Sequence, residues 1–84
     1  MQKKQIKFLT TSGCHLCEQA LQMMEYLLQN DQQIAKQVDL VLTEIAHDDL
    51  LVEKYGIRIP VLISPDEELA WPFELEELRL WLNQ

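Results

Sequence analysis

Two cysteines in the motif CHLC, Cys14 and Cys17, constrain this chain more than any other feature of its sequence. The chain has no further cysteine, and a disulfide between residues so close together would close a small loop and stabilise the fold very little. The 84 residues must therefore fold by packing, and 48% hydrophobic against 25% charged residues is adequate for a core. This length and composition predict a single globular domain spanning residues 1–84.

Charge and hydropathy argue against several classes of partner. The chain carries 14 acidic and 7 basic side chains, a net charge of -7, which opposes attraction to nucleic acid or to anionic lipid. The early lysines are not followed by the apolar run of a signal peptide, and no stretch reaches membrane-spanning length. We therefore expect a cytoplasmic monomer without nucleic-acid or membrane partners. In a reducing compartment, a close cysteine pair is more often catalytic or metal-binding than structural.

Hydrophobic periodicity predicts the elements of the first half of the chain. Residues 5–10 form a strand, and apolar residues recur at helical spacing over residues 14–29. Residues 30–33 break this helix, and residues 38–45 form a second, strongly β-prone strand. Strand, helix and strand in this order predict a βαβ unit with two parallel strands.

A short helix and a third strand follow. Asp48 or Asp49 can cap the helix, which runs to Lys54, and Gly56 is expected to end it in the left-handed conformation. Residues 58–64 then contain the third strand.

A hairpin and a last helix complete the predicted fold. The turn at 64–67 and the short run 69–71 predict a fourth strand antiparallel to the third. Pro72 is expected to open the last helix, whose buried stripe is Leu75, Leu78 and Leu82, with Trp81 beside it. The order is βαβαββα, an α/β fold in which helices flank one mixed four-stranded sheet.

The spacing of the motif suggests separate roles for the two cysteines. Cys14 begins the helix and Cys17 lies nearly one turn later, so that the two sulfur atoms can meet. Free N–H groups and the helix dipole should lower the pKa of Cys14 and make it the nucleophile. Cys17 would then resolve the mixed disulfide by attacking the Cys14 sulfur. Protonated His15, beside Leu16 between the cysteines, would favour the thiolate further.

A metal site is the main alternative for the cysteines. A tetrahedral zinc site needs four ligands, and beyond the cysteines the chain offers only His15, badly placed within the motif, and His47. We therefore do not expect zinc within one chain. An iron–sulfur cluster shared between two chains, or a binding module without catalysis, stays open as the alternative function.

Three features of the chain are shared with a known superfamily: a strand that leads into CxxC, the βαβαββα order and the Ile-Pro before the third strand. In these features the chain resembles the glutaredoxin and thioredoxin superfamily, and small bacterial glutaredoxin-like domain proteins most closely. The resemblance implies a thioredoxin fold and a thiol–disulfide oxidoreductase of cell redox homeostasis, acting on protein disulfides or glutathione mixed disulfides. YGIRIPV at 55–61 is similar to the thioredoxin segment that carries a cis-proline. Arg58 directly precedes Ile59 here, whereas the thioredoxin segment has one residue more at this point. Pro60 would then be cis, and the Ile59 backbone would face Cys14 and pair with an incoming peptide or glutathione like an added strand.

The departures from this resemblance concern glutathione. Glutaredoxins commonly carry a basic residue shortly before the first cysteine, where this chain has TTSG at 10–13. They also commonly have a glycine pair after the fourth strand, where this chain has WPF at 71–73. Arg58 is the remaining cation placed to meet an anionic ligand. Trp71 and Phe73 are candidates for an aromatic wall that binds a partner, although aromatic residues at a strand-to-helix junction more often fill the core. No resident cofactor is expected, and glutathione is a candidate co-substrate. The resemblance makes Cys14 and Cys17 catalytic and assigns substrate binding to His15, Leu16, Arg58, Ile59, Pro60 and Trp71.

Overall fold

The computed structural model describes residues 3–84, which contain four strands and four helices. They are β1 Lys4–Thr10, α1 His15–Asn30, α2 Gln32–Gln37, β2 Val38–Glu44, α3 Asp49–Tyr55, β3 Val61–Ile63, β4 Glu68–Ala70 and α4 Leu75–Leu82. The strands form one sheet in the order β2-β1-β3-β4. β1 pairs parallel with β2 and antiparallel with β3, which pairs antiparallel with β4. The predicted mixed sheet and thioredoxin fold are confirmed.

A second helix, α2, occupies part of the segment where the sequence predicted a break. Asp31 ends α1 and caps α2, because its carboxylate accepts hydrogen bonds from the N–H groups of Gln33 and Ile34 at 3.0 and 3.2 Å. The fully buried Ile34 anchors the new helix to the core. The predicted break is thus a change of helix direction at one residue. Among the helices of residues 3–84, none combines the length and the apolar character that a membrane crossing requires.

The sheet separates two apolar clusters. Ile6 and Phe8 of β1 face the larger cluster, toward α1 and α4, whereas Leu9 faces the smaller one, toward α3. The smaller cluster has the buried members Leu9, Ile45, Tyr55 and Val61. The larger cluster has the buried members Ile6, Phe8, Cys17, Ala20, Met24, Leu27, Ile34, Val38, Leu62, Phe73, Leu78, Trp81 and Leu82. One cysteine of the motif is therefore part of the main core.

Gly56 does not end α3 in the left-handed conformation, so that prediction is wrong. Its φ of -52° and ψ of -37° are right-handed, and the chain keeps turning in the same sense. The N–H groups of Arg58 and Ile59 both donate to the Tyr55 carbonyl, at 2.7 and 3.1 Å. A Cβ at position 56 would clash with the carbonyl oxygen of Val52, so the glycine is needed for a close approach rather than for a positive φ.

The third strand is shorter than predicted, and the fourth is displaced by one residue. β3 begins at Val61 instead of residue 58, because residues 56–58 belong to the turn after α3. The predicted turn at 64–67 is confirmed: the Ser64 N–H donates to the Glu67 carbonyl at 2.9 Å. β4 begins and ends one residue earlier than the predicted 69–71.

The last helix begins later than predicted. Pro72 lies before α4, and the Trp71–Pro72 peptide bond is cis. Glu74 is the N-cap residue, and its N–H donates to the Glu77 carboxylate at 3.4 Å. Leu75 then falls in the first turn and is exposed, which corrects its predicted place in the buried stripe. The buried residues of α4 are Leu78, Trp81 and Leu82.

Candidate functional site

Cys14 and Cys17 form a disulfide where β1 leads into α1. Their Cα atoms are 5.2 Å apart. The loop before them turns at Gly13, whose φ of 77° lies in the left-handed region that glycine adopts without steric cost. This turn lets the chain pass from the end of the strand to the beginning of the helix within a few residues.

Cys14 is the N-cap residue of α1. The backbone N–H of Cys17 donates to the Cys14 sulfur at 3.1 Å, and the Cys14 carbonyl accepts from the Glu18 N–H at 3.1 Å. The helix begins at His15, one residue later than predicted, and the sulfur takes the place that a serine or aspartate oxygen usually has at a helix start. After reduction, the same N–H group and the helix dipole would favour the Cys14 thiolate.

The two sulfur-bearing residues differ in accessibility. Cys17 is only 3% exposed and belongs to the larger cluster. Cys14 is half-buried and packs on the margin of that cluster. A nucleophile must reach its substrate, whereas a buried thiol can react only with a sulfur that is brought to it. The fold therefore provides one accessible and one protected cysteine.

The Ile59–Pro60 peptide bond is cis, as the resemblance implies. Pro60 is buried, and its carbonyl accepts a hydrogen bond from the Trp71 N–H at 3.1 Å. The Ile59 N–H donates to the Tyr55 carbonyl at 3.1 Å. These two hydrogen bonds fasten the segment to the end of α3 on one side and to the residue after β4 on the other.

Cys14, Ile59 and Trp71 are each half-buried and pack against buried residues of the larger cluster. The Trp71 ring meets the Phe73 ring edge to face, with centroids 5.1 Å apart and an interplanar angle of 74°. Phe73 itself is buried. Of the two predicted wall residues, only Trp71 therefore offers surface to a partner.

His15 and Leu16, between the cysteines, are both exposed. The Nδ1 atom of His15 lies 3.7 Å from Oε2 of Glu18, one turn along α1. Over residues 3–84, no three His, Cys, Asp or Glu side chains gather closely enough to hold a metal ion.

Arg58 is paired with a carboxylate instead of standing free for an anionic ligand. Its Nη2 atom lies 3.3 Å from Oε1 of Glu68, and its guanidinium lies 5.4 Å from the centroid of the Tyr55 ring. The Tyr55 hydroxyl donates to Oε2 of the same carboxylate at 2.5 Å. Glu68 is the register partner of Ile63 and so faces the α3 side of the sheet. The side chain of Arg58 is thus drawn onto that side.

The Glu68 carboxylate should make stability depend on pH. The hydrogen bond from Tyr55, and then the interactions with Arg58, lower the pKa of Glu68 below its usual 4.5. A carboxyl group with a lowered folded-state pKa stabilises the protein above its unfolded pKa, and this is lost as the pH falls through the folded value. We expect the Tm of the protein to fall more steeply below pH 4.5 than the Tm of a Glu68→Gln variant.

Thermal unfolding followed by circular dichroism over the acid range measures this difference. Tyr55→Phe removes the leading cause of the lowered pKa and should also flatten the profile. Parallel profiles for the wild type and Glu68→Gln would contradict the prediction.

Sequence reasoning missed one interaction of the loop that precedes the CHLC motif, the contact between Thr11 and Glu44. The Glu44 carboxylate accepts hydrogen bonds from the Thr11 hydroxyl at 2.7 Å and from the Ala46 N–H at 3.1 Å. Thr10 and Glu44 are register partners at the ends of the two parallel strands. The carboxylate therefore fastens the loop before Cys14 to the end of β2. The parallel register of the two strand ends is the signal that could have found it.

Comparison with known proteins finds that this chain is similar to one family of small domains. A family model described as Glutaredoxin-like domain (DUF836) matches residues 5–83. The X-ray structure of XcR50 from X. campestris is 33% identical with a TM-score of 0.74, over 93% of this chain and 95% of that chain. Ne2328 from Nitrosomonas europaea is 20% identical with a TM-score of 0.73, over 96% and 93%, a likeness of fold alone. No curated protein matches the chain.

Proposed function

Because this chain belongs to the Glutaredoxin-like domain family (DUF836), which matches residues 5–83, we propose that it is a thiol–disulfide oxidoreductase. Cys14 is the nucleophile and Cys17 the resolving thiol. The observation that carries the proposal is the hydrogen bond from the Cys17 N–H to the Cys14 sulfur at a helix start, at 3.1 Å. The substrates are protein disulfides or glutathione mixed disulfides, and the protein works as a monomer in the cytoplasm without a resident cofactor.

The reaction takes two exchanges between sulfur atoms. The Cys14 thiolate attacks one sulfur of the substrate disulfide, whose S–S bond breaks, and the other sulfur leaves as a thiolate and takes a proton from water. Cys17 then gives up its proton and attacks the Cys14 sulfur, which releases the second substrate thiol. The substrate gains two electrons and two protons, and the protein is left with its Cys14–Cys17 disulfide. An external thiol reductant returns it to the dithiol.

The fold assists each step differently. Helix α1 supplies an N–H group and its dipole to the sulfur that must carry negative charge. Burial of Cys17 keeps the second thiol from competing for the substrate, and its place in the same turn keeps it within reach of Cys14. The exposed Leu16, between the two cysteines, offers a substrate chain an uncharged surface.

Alkylation of the reduced protein tests the proposal. Near neutral pH, Cys14 should react with iodoacetamide at least about tenfold faster than Cys17, because thiolate character and access favour the same residue. Tandem mass spectrometry of the peptide containing both cysteines measures each rate. The control is the same protein in concentrated urea, where the two rates should converge. Equal and slow modification of both thiols in the folded protein would refute the proposed roles.

A shared iron–sulfur cluster is the second candidate for the same cysteines. Such a cluster needs thiolates that a partner chain can approach, and Cys17 is only 3% exposed. Its burial therefore favours the oxidoreductase. Purification without air separates the two candidates, because a cluster carrier would be coloured and dimeric.

A further inference from the structure

We infer, starting from the proposed oxidoreductase function, that Glu44 is a positioning residue for the nucleophile. Its carboxylate holds Thr11, and through Thr11 it holds the loop of residues 11–13, so that the Cys14 sulfur stays at the N-cap of α1. Glu44 acts through the backbone of this loop and not through its own charge on the sulfur. The fixed carboxylate, the weakly held loop and the geometry at the helix start each support this role.

The Glu44 carboxylate is oriented by its own segment of chain. Its Oε1 atom accepts the Ala46 N–H at 3.1 Å, just after β2 ends. The Asp48 N–H donates to the Ile45 carbonyl at 3.0 Å, so that the chain after the strand is itself a closed turn. An acceptor that is already ordered loses little further entropy when it takes a second hydrogen bond. The same Oε1 atom accepts the Thr11 hydroxyl at 2.7 Å, the length expected for a charge-assisted bond between a hydroxyl and a carboxylate.

The loop of residues 11–13 is otherwise weakly held. The pairing of the two parallel strands ends where the Thr10 carbonyl accepts the Ile45 N–H at 3.0 Å. Beyond that point, within residues 3–84, the bond from the Thr11 hydroxyl is the only hydrogen bond that joins the loop to another element. Apart from its chain neighbours, no atom lies within 4 Å of the place that a Cβ would take at Gly13. The loop therefore has room to change conformation once Thr11 is released.

The position of Thr11 restricts where the Cys14 sulfur can lie. Only two residues connect Thr11 to Cys14, so the chain has few ways to enter the helix. Cys14 has the extended backbone of an N-cap residue, with a φ of -95° and a ψ of 104°, and its sulfur accepts the Cys17 N–H at 3.1 Å. Gly13, with a φ of 77°, can adopt negative φ almost equally well. If Thr11 is released and Gly13 changes conformation, the sulfur loses that N–H for part of the time.

The thiolate depends on this N–H more than the other forms of the sulfur do. It carries a full negative charge, whereas a thiol or disulfide sulfur is a weak acceptor, so the N–H stabilises the thiolate selectively. Release of the loop should therefore raise the pH at which Cys14 ionises. Removing the charge of Glu44 should act in the opposite direction if that charge reached the sulfur directly, because one negative charge opposes another. The two modes of action thus predict shifts of opposite sign.

Titration of the Cys14 thiolate in threonine variants tests the role of the loop. All the proteins carry Cys17→Ser, so that one thiol titrates, and the ultraviolet absorbance of the thiolate follows it. Thr11→Val removes the hydroxyl and should shift the ionisation upward by at least about 0.3 pH unit. Thr11→Ser keeps a hydroxyl and should restore the reference value. Thr43→Val is the matched control, because the Thr43 hydroxyl bonds within β2, to the Val41 carbonyl at 3.4 Å, and should leave the titration unchanged.

These threonine substitutions change no charge. His15 and Glu18, which lie 3.7 Å apart in the first turn of α1, and all other ionisable groups therefore keep their effect on Cys14. Thr11 is only half-buried, so the variants should fold, and thermal unfolding by circular dichroism checks this. A purely structural role would lower the Tm without moving the ionisation of Cys14. Equal titration curves for the reference protein and Thr11→Val, or an equal shift with Thr43→Val, would overturn the inference.

Substitution of Glu44 in two backgrounds tests whether it acts through Thr11. With Thr11 present, Glu44→Ala removes the acceptor and should shift the ionisation of Cys14 upward. With Thr11→Val, the same substitution should cause no further upward shift, because the two side chains act through one hydrogen bond. Glu44→Gln keeps an oxygen that can accept the hydroxyl and should shift the ionisation less than Glu44→Ala does. A downward shift with Glu44→Ala, or equal upward shifts in both backgrounds, would contradict the positioning role.

The rate of reaction with a disulfide peptide separates this inference from the proposed function. Below the ionisation midpoint of the reference Cys17→Ser protein, Thr11→Val should slow formation of the mixed disulfide about twofold or more. Above both midpoints the rates should converge. If the reference protein does not react at any pH, the proposed function is wrong and the inference is lost with it. If the reference protein reacts and Thr11→Val reacts equally fast below the midpoint, the inference alone is wrong.

Discussion

Replacing Cys14 by serine is expected to abolish disulfide reduction, with a loss in kcat/KM of about a thousandfold or more. The serine hydroxyl cannot act as a thiolate at neutral pH, and the buried Cys17 cannot reach the substrate in its place. Cys17→Ser should have a different effect, because it preserves the first attack and removes only the resolving step. The single cysteine of that variant should therefore accumulate a mixed disulfide.

Intact-mass spectrometry after incubation with a disulfide peptide measures both outcomes. The Cys17→Ser protein should gain the mass of one peptide, and a reductant should remove it. The Cys14→Ser protein should gain it far more slowly, although it too has one thiol. Comparable adducts on the two variants, or none on Cys17→Ser, would show that the roles of the two cysteines have been assigned incorrectly.

Leu62→Ala is expected to lower the free energy of unfolding by about 2–5 kcal/mol, the usual cost of emptying a leucine site in a packed core. Leu62 lies in β3, is 0% exposed, and is the register partner of Phe8 on one side of β1. A domain of this size has only about 5–15 kcal/mol of stability in total. The variant should therefore lose a large part of its resistance to urea.

Leu42→Ala is the matched control for this substitution. Leu42 is the register partner of Phe8 on the other side of β1, in the edge strand β2, and it is 55% exposed. The same change of side chain should cost less than about 1 kcal/mol there, because little apolar surface returns to water. Urea unfolding of both variants with the disulfide intact makes the comparison. Similar losses would contradict the assignment of Leu42 to the exposed edge.

Much of the fold could be predicted from the sequence because its signals are local. The alternation of Ile6 and Phe8 predicts the first strand, and the helical spacing after Cys14 predicts α1. The length of the connection, which contains a helix, favours parallel pairing of β1 and β2, and the tight turn at 64–67 requires a hairpin. Each of these inferences depends on the pattern within one segment or on the length of one connection.

Local sequence signals did not predict where some of the helices begin and end. Pro72 is a common first residue of a helix, yet α4 begins only after Glu74, where the capping bond from the Glu74 N–H to Glu77 is made. Glycine is a common helix terminator, yet Gly56 is right-handed and lies too close to the Val52 carbonyl for a Cβ atom. In both cases more than one local ending was compatible with the sequence, and the surrounding structure selected one.

That Cys14 and Cys17 can form a disulfide follows from the sequence alone, because their spacing and the helix start are properties of a few adjacent residues. Contacts between residues far apart in the sequence depend instead on tertiary packing. The pairing of Arg58 with Glu68 and the bond from the Ile59 N–H to Tyr55 depend on how α3 packs against the sheet. Polar groups in a folded chain bond to whichever partner the packing brings within reach, and the residues next to them in the sequence do not specify that partner.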